Sequence, residues 1–208
     1  CAAIIAKFQG KVVPDPTNMA VGNEGRTIVI ADIKPGSTCM TLKYLASLGM
    51  GVCAVGVDWL KACEKEGRWI ELDSYRLPAG YDEETMDTFF LPDEYRDAPL
   101  AMHQRVLSGK IVSVSGPERE IKDIKTLLCF AGATVNEKDI SGSHYHITLD
   151  EFPQKIIARA GRVPVVTNDW FVRSLWEQKP SEVEPYLKVC PPALADGDKV
   201  QLRSSSGQ

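Results

Sequence analysis

The apolar residues of this chain fall into two spacings, and the change from one to the other marks its elements. Between residues 40 and 69, Leu42, Leu45, Ala46 and Gly49 recur at the i, i+3, i+4, i+7 positions of a helical stripe, and Gly49 and Gly51 close it. Residues 52–55 form a short apolar run of the kind that fills a parallel strand covered on both faces. Trp59, Leu60 and Cys63 then mark a second amphipathic helix, with Asp58 placed to stabilise its first turn. Lys43 sits on the first of these helices, beside the apolar stripe and outside it.

The same reading extends in both directions. Residues 1–8 are helical, with Ile4, Ile5 and Phe8 on one side and Gly10 as the stop. A strand is expected from residue 11 to 13, a loop over 14–25 and a buried strand over 26–33. Pro35, Gly36 and Ser37 are expected to break the chain and cap the helix that follows. Residues 74–104 are acidic, Pro-punctuated and dotted with aromatics, a connector that is ordered because Phe89, Phe90 and Tyr95 need surface to bury against. Beyond it the pattern predicts a strand over 107–116, a helix over 118–130 bearing Ile121, Ile124, Leu127 and Leu128, and strands at 134–136 and 145–149. A helix over 153–160, a strand over 162–166 and a closing helix from Asn168 follow, and a Pro- and Ser-rich tail begins after Pro180.

The chain repeats itself. Val52, Val55, Asp58 and Trp59 match Val163, Val166, Asp169 and Trp170 at a constant offset of 111. Phe8, Gly10 and Val13 match Phe130, Gly132 and Val135 at an offset of 122, the difference being extra loop in the first copy. This divides the chain into a first unit (1–73), a connector (74–104), a second unit (105–190) and a tail (191–208), both units being α/β with parallel strands.

Composition narrows the chemistry. The chain has 208 residues, 44% of them hydrophobic and 25% charged, enough for two real cores. Its net charge of −4 argues against gripping duplex DNA by neutralising phosphates, though a single phosphate in a local pocket stays open. The six cysteines form no CxxC pair and read as buried thiols of a reducing compartment. His144 and His146 alternate on a strand, so both rings fall on one face, but no third ligand at useful spacing joins them and no metal is expected. Asp93 and Glu94 read as solvated loop charges, and the 141–143 SGS as a turn. Phosphate-loop and dinucleotide fingerprints are absent, so neither an enzyme nor a cofactor is expected.

The order helix, Gly, strand, loop, strand, helix, strand, Trp-bearing helix resembles the BRCT module, and two copies resemble a tandem BRCT pair. Trp59 and Trp170 match the module's signature tryptophan, and Gly10 and Gly132 the glycine after its first helix. The resemblance implies, in each unit, a four-stranded parallel sheet flanked by three helices. It also implies packing between units that sets Leu42, Leu45 and Leu48 near Ile124, Leu128, Phe171 and Leu175. The repeat places the first unit's opening strand before Cys1, so residues ahead of Cys1 are expected in the natural protein.

Thr41 to Tyr44, TLKY, matches the pocket helix of phosphopeptide-binding pairs, and the connector's SYRLPAGY resembles that of a DNA-damage checkpoint mediator. Phosphate recognition in this family uses a hydroxyl, a backbone N–H and a lysine, because a phosphate dianion offers strong acceptors that fixed, charge-assisted donors satisfy. Lys43 matches the lysine; the bland alternative is a solvated helix lysine. Met40 stands where such pairs usually carry an arginine, and Met40, Thr41 and Ile121 are the candidates for the rest of a peptide groove. Ser115, Gly116 and Lys155 match all three phosphate groups in the second unit, or are a turn and a surface lysine. The implied partners are a phosphorylated protein, a histone tail above all, in the nucleus. The other reading is a phosphate-independent scaffold that holds a folded tumour-suppressor partner through the connector and the groove between units.

Overall fold

The structure is a computed structural model that describes residues 1–13, 27–33, 37, 40–93, 99–150 and 154–189. The expectations for residues 14–25, Pro35, Gly36, Tyr95, Glu94 and the tail 191–208 lie outside them. It is an α/β protein built from parallel sheets and helices.

The first half runs α1 (Ala2–Lys7), β1 (Val29–Ala31), α2 (Leu42–Gly49), β2 (Ala54–Gly56) and α3 (Val57–Glu66). β1 and β2 pair in parallel, Val29 opposite Ala54 and Ile30 opposite Val55. Among the described residues this sheet has two strands, not four; residues 11–13, expected as a strand, join no ladder. Ile4 and Ile5 of α1 and Phe8 just after it pack on Trp59, Leu60 and Cys63 of α3, closing a small core of their own. The helix expected to be capped by Pro35, Gly36 and Ser37 is capped by Thr41, whose hydroxyl accepts the Tyr44 N–H at 3.4 Å. An extended Thr directly before the first helical residue is the better cap because its side-chain oxygen reaches an amide that has no helical partner.

The connector is ordered, as expected, but by other means. A short antiparallel hairpin, β3 (Gly80–Tyr81) with β4 (Thr88–Phe89), lies against the second half. Phe89 stacks on Trp176 with ring centroids 6.0 Å apart, and the Arg173 guanidinium lies 4.2 Å from the Phe89 ring centre. Gly80 has no room for a Cβ, because the Trp176 indole covers it. Phe90 does not bury itself: it is 52% exposed.

The second half runs β5 (Ile111–Ser115), α4 (Glu118–Phe130), β6 (Thr134–Val135), β7 (Tyr145–Thr148), α5 (Gln154–Ala160), β8 (Val165–Val166), α6 (Asn168–Glu177) and β9 (Leu187–Val189). The sheet order is β6-β5-β7-β8-β9, parallel through β8. β9 is antiparallel to β8 and lies in the Pro- and Ser-rich stretch after Pro180, where no strand was expected, so this sheet has a fifth strand.

The two halves meet through helices. α2 packs against α4 and α6, and Leu45, Leu48, Ile124, Leu128, Phe171 and Leu175 share one continuous core. Gly49 permits the close approach, since a Cβ there would lie 3.1 Å from the Ala131 nitrogen. Leu42, expected at this contact, is 38% exposed: it is the first helical residue and is not part of that core.

Candidate functional site

Lys43 stands in the first turn of α2, one residue after the helix begins. The turn is fixed on its inner side. Tyr44 is buried and donates its hydroxyl to the Pro78 carbonyl at 2.6 Å, tying the start of α2 to the connector. Lys43 emerges on the outer side and is exposed. It lines a groove of about 660 Å³ whose walls are α1, residues 11–13, β1 and the start of α2. The positive end of the α2 dipole opens toward the same side, so an anion there meets a helix terminus and an ammonium together. Lys11 lines the groove as well and adds a second cation. Reading the sequence missed Lys11, because nothing in the spacing of residues 11 and 43 links them; only the fold of α1 against β1 brings the two segments to one concavity.

Thr41 shares this groove, and Met40, directly before it, is 51% exposed. Ile121 does not join them. It lies in a separate shallow depression on α4, with Glu118, Arg119, Lys122, Lys125 and Glu137. The Lys125–Glu137 ion pair at 2.9 Å spans the edge of that depression and holds the Glu137 carboxyl below the usual carboxylate range.

The three second-unit residues have distinct surroundings. The Ser115 hydroxyl is 2.9 Å from His146 Nε2 and donates to Thr148 Oγ1 at 3.2 Å, so it belongs to a network on the sheet face. Gly116 has φ +141°, and a Cβ there would come within 2.6 Å of Leu149 Cβ. Lys155 is exposed on α5, and residues 151–153 beside it lie outside the described set.

His144 and His146 have separate tasks. His144 Nδ1 accepts the Ile111 N–H at 2.9 Å, and His146 is 2% exposed, bonded to Ser113 at 2.8 Å through Nδ1 and to Ser115 through Nε2. Burial pushes the His146 imidazole down from 6.5 to about 4, with Asp150 pulling weakly the other way. Neutral imidazole fits this place because one ring nitrogen donates and the other accepts. Among the described residues no three His, Cys, Asp or Glu side chains gather as a metal would need. Cys53 and Cys63 are buried thiols, whereas Cys1 and Cys129 are exposed. No described helix is long and apolar enough to cross a membrane.

The signature positions serve both units alike. Trp59 Nε1 donates to the Ile70 carbonyl at 3.1 Å and Trp170 Nε1 to the Ser181 carbonyl at 3.0 Å, each eleven residues downstream. The glycines differ in cause. Gly132 has φ +86°, whereas Gly10 is required by closeness, a Cβ there lying 2.7 Å from Ile5 Cγ2. Gly132 also rests on Arg105, a buried guanidinium that donates to the Leu100 and Phe130 carbonyls at 3.1 Å each and so caps the end of α4.

Residues 102–175 match the family model of the BRCA1 C Terminus (BRCT) domain. Over 86% of its length the chain resembles the BRCT5-BRCT6 domains of S. pombe Brc1, at 14% identity and a TM-score of 0.51, covering 87% of that chain. It resembles Rtt107p, whose structure was solved with phosphorylated histone H2A, at 13% identity and a TM-score of 0.52, covering 86% of this chain and 81% of that one. At these identities the likeness is one of fold: the arrangement of two BRCT units in tandem.

Proposed function

We propose that this chain is a non-catalytic phosphopeptide-binding module of a DNA-damage-response mediator, acting in the nucleus, with Lys43 as a ligand to the phosphate. The observation that carries this reading is the placement of Lys43 at the positive end of a capped helix, in a groove it shares with Lys11. A phosphate dianion is stabilised there by two ammonium groups and by helix-terminal N–H dipoles, whereas an unmodified hydroxyl gains little from either. That Rtt107p, similar in fold, binds phosphorylated histone H2A supports a histone tail as the ligand class. The connector's SYRLPAGY, residues 74–81, further supports kinship with the C-terminal pair of the checkpoint mediator p-fifty-three-binding protein one. Titrating one phosphoserine peptide and its unphosphorylated twin by calorimetry tests the reading: only the phosphorylated peptide is expected to bind.

One observation favours a second reading. The connector hairpin is clamped to α6, yet it leaves Met86 and Phe90 exposed at 69% and 52%. A folded partner docking on that apolar tip would bind without phosphate, and neither peptide would displace it.

A further inference from the structure

The first turn of α2 carries Lys43, and the contact that steadies this turn comes from far along the chain. Met40, Thr41, Leu42 and Lys43 are exposed, whereas Tyr44 and every residue after it to Gly49 are buried. Tyr44 is therefore the first buried side chain of the helix, one residue from the lysine. The Thr41 cap bond is long, at 3.4 Å, and holds the turn weakly. The Tyr44 hydroxyl makes a much shorter bond, 2.6 Å to the carbonyl of Pro78, thirty-four residues on.

Pro78 is held from both sides. Before it, Leu77 donates its N–H to the Ala54 carbonyl of β2 at 2.9 Å, which ties the connector to the first unit's sheet. After it, Ala79 donates to the Phe89 carbonyl at 2.7 Å, within the hairpin that Arg173 and Trp176 hold against α6. Asp82 of the same hairpin pairs with Arg173 at 2.5 Å. The carbonyl that receives Tyr44 thus stands between an anchor on the first unit and an anchor on the second. Proline's fixed φ removes one of the two dihedrals by which it could shift between them.

We propose that Tyr44 is a positioning residue for phosphate recognition, and that the connector hairpin, acting through Pro78, sets how tightly Lys43 holds a phosphopeptide. This rests on the reading of Lys43 as a phosphate ligand. A charge-assisted bond is worth most when its donor is already in place, because ordering a long side chain on a loose turn costs entropy that is taken from binding. Releasing the hairpin from α6 frees Pro78, and freeing Pro78 loosens the turn that carries Lys43. A partner seated on the hairpin acts on phosphopeptide affinity by the same route, and by reciprocity the phosphopeptide steadies the hairpin.

The test is a mutant cycle in the whole 208-residue chain, read by calorimetric titration with a phosphorylated histone H2A tail peptide well below the Tm of every variant. Tyr44→Phe keeps the buried ring and removes the hydroxyl, and it is expected to weaken binding by about two- to tenfold, the worth of one hydrogen bond. Lys43→Met weakens binding by itself, and adding Tyr44→Phe to it is expected to change nothing more, because Tyr44 acts through the lysine. Arg173→Met is expected to weaken binding in the wild-type background and not in the Tyr44→Phe background. In wild type the peptide is expected to slow hydrogen exchange at the Ala79 amide more than at the His146 amide, which bonds the Pro164 carbonyl in the second unit's sheet. Undiminished affinity in Tyr44→Phe overturns the proposal. So does an equal loss with and without Lys43, the mark of general loosening, or equal protection of the two amides. In each of those cases Lys43→Met still binds more weakly than wild type and the phosphate reading stands. Lys43→Met at full affinity is the different result that removes the phosphate reading, and this proposal with it.

Discussion

The two units anchor their last helices identically and build their sheets differently. In both, a tryptophan on the first turn of the helix bonds a carbonyl eleven residues on. Beside Trp170, however, the sheet has five strands and carries a satisfied polar network of Ser113, Ser115, His146 and Thr148 on one face. Beside Trp59 it has two described strands, with Val29 and Ala31 where that network would stand, and an open groove flanked by Lys11 and Lys43. Among the described residues, one copy carries a filled polar sheet face and the other a groove lined by two lysines.

The largest expected effect comes from the anchors. Trp170 is fully buried, and Trp170→Ala should cost about 3–5 kcal/mol in urea denaturation. Trp59, stacked on Trp69 at 5.2 Å but in the smaller core, should cost less, and the two changes should separate by more than the error of the measurement. Equal losses would erase the distinction between the units.

The polar network makes the second unit sensitive to acid. Because the fold holds His146 neutral, its folded pKa lies below the unfolded one. The associated stability is fully present above pH 6.5 and is lost as pH falls toward about 4. The total is of order 3 kcal/mol. Melting curves across that window should flatten in His146→Gln. A wild-type curve independent of pH there would contradict the neutral, buried imidazole.

A smaller effect is expected at the connector. Arg173 reaches Asp82 at 2.5 Å and Glu177 at 2.6 Å while lying over Phe89. The Asp82 carboxyl is held below its usual range first by the Thr85 N–H and then by Arg173. Arg173→Met should raise proteolytic cutting of the connector by at least about two- to thirtyfold, the worth of the cation–π contact alone, the lost Asp82 bridge adding to it. The least effect belongs to the cap. Thr41→Ala removes a long bond, and about 0.5 kcal/mol of stability is the expected loss.

What the sequence showed plainly was whatever local periodicity and repetition determine. Residues 118–130 form α4 as expected, and the paired tryptophans fall where the repeat put them. What it hid depends on partners far along the chain. β9 is three residues long and exists only because Val165 and Val166 offer it an edge. The hairpin of the connector is held by Trp176 and Arg173, about ninety residues away, a contact no local window can register. The role of His146 was hidden because alternation gives a face but not its occupants, and those are Ser113 and Ser115 of a neighbouring strand. For the candidate site, Lys43 was legible from the TLKY motif, whereas Lys11 was not, and Ile121 proved to stand apart from both.

The most direct test of the account compares wild type with Lys43→Met in calorimetric titration with a phosphoserine peptide, alongside melting of both proteins. Loss of one charge-assisted contact predicts binding weaker by about ten- to a hundredfold, with Tm nearly unchanged because Lys43 is exposed. Binding that survives the substitution would contradict the central claim and would point instead to Ser115, Gly116 and Lys155 in the second unit.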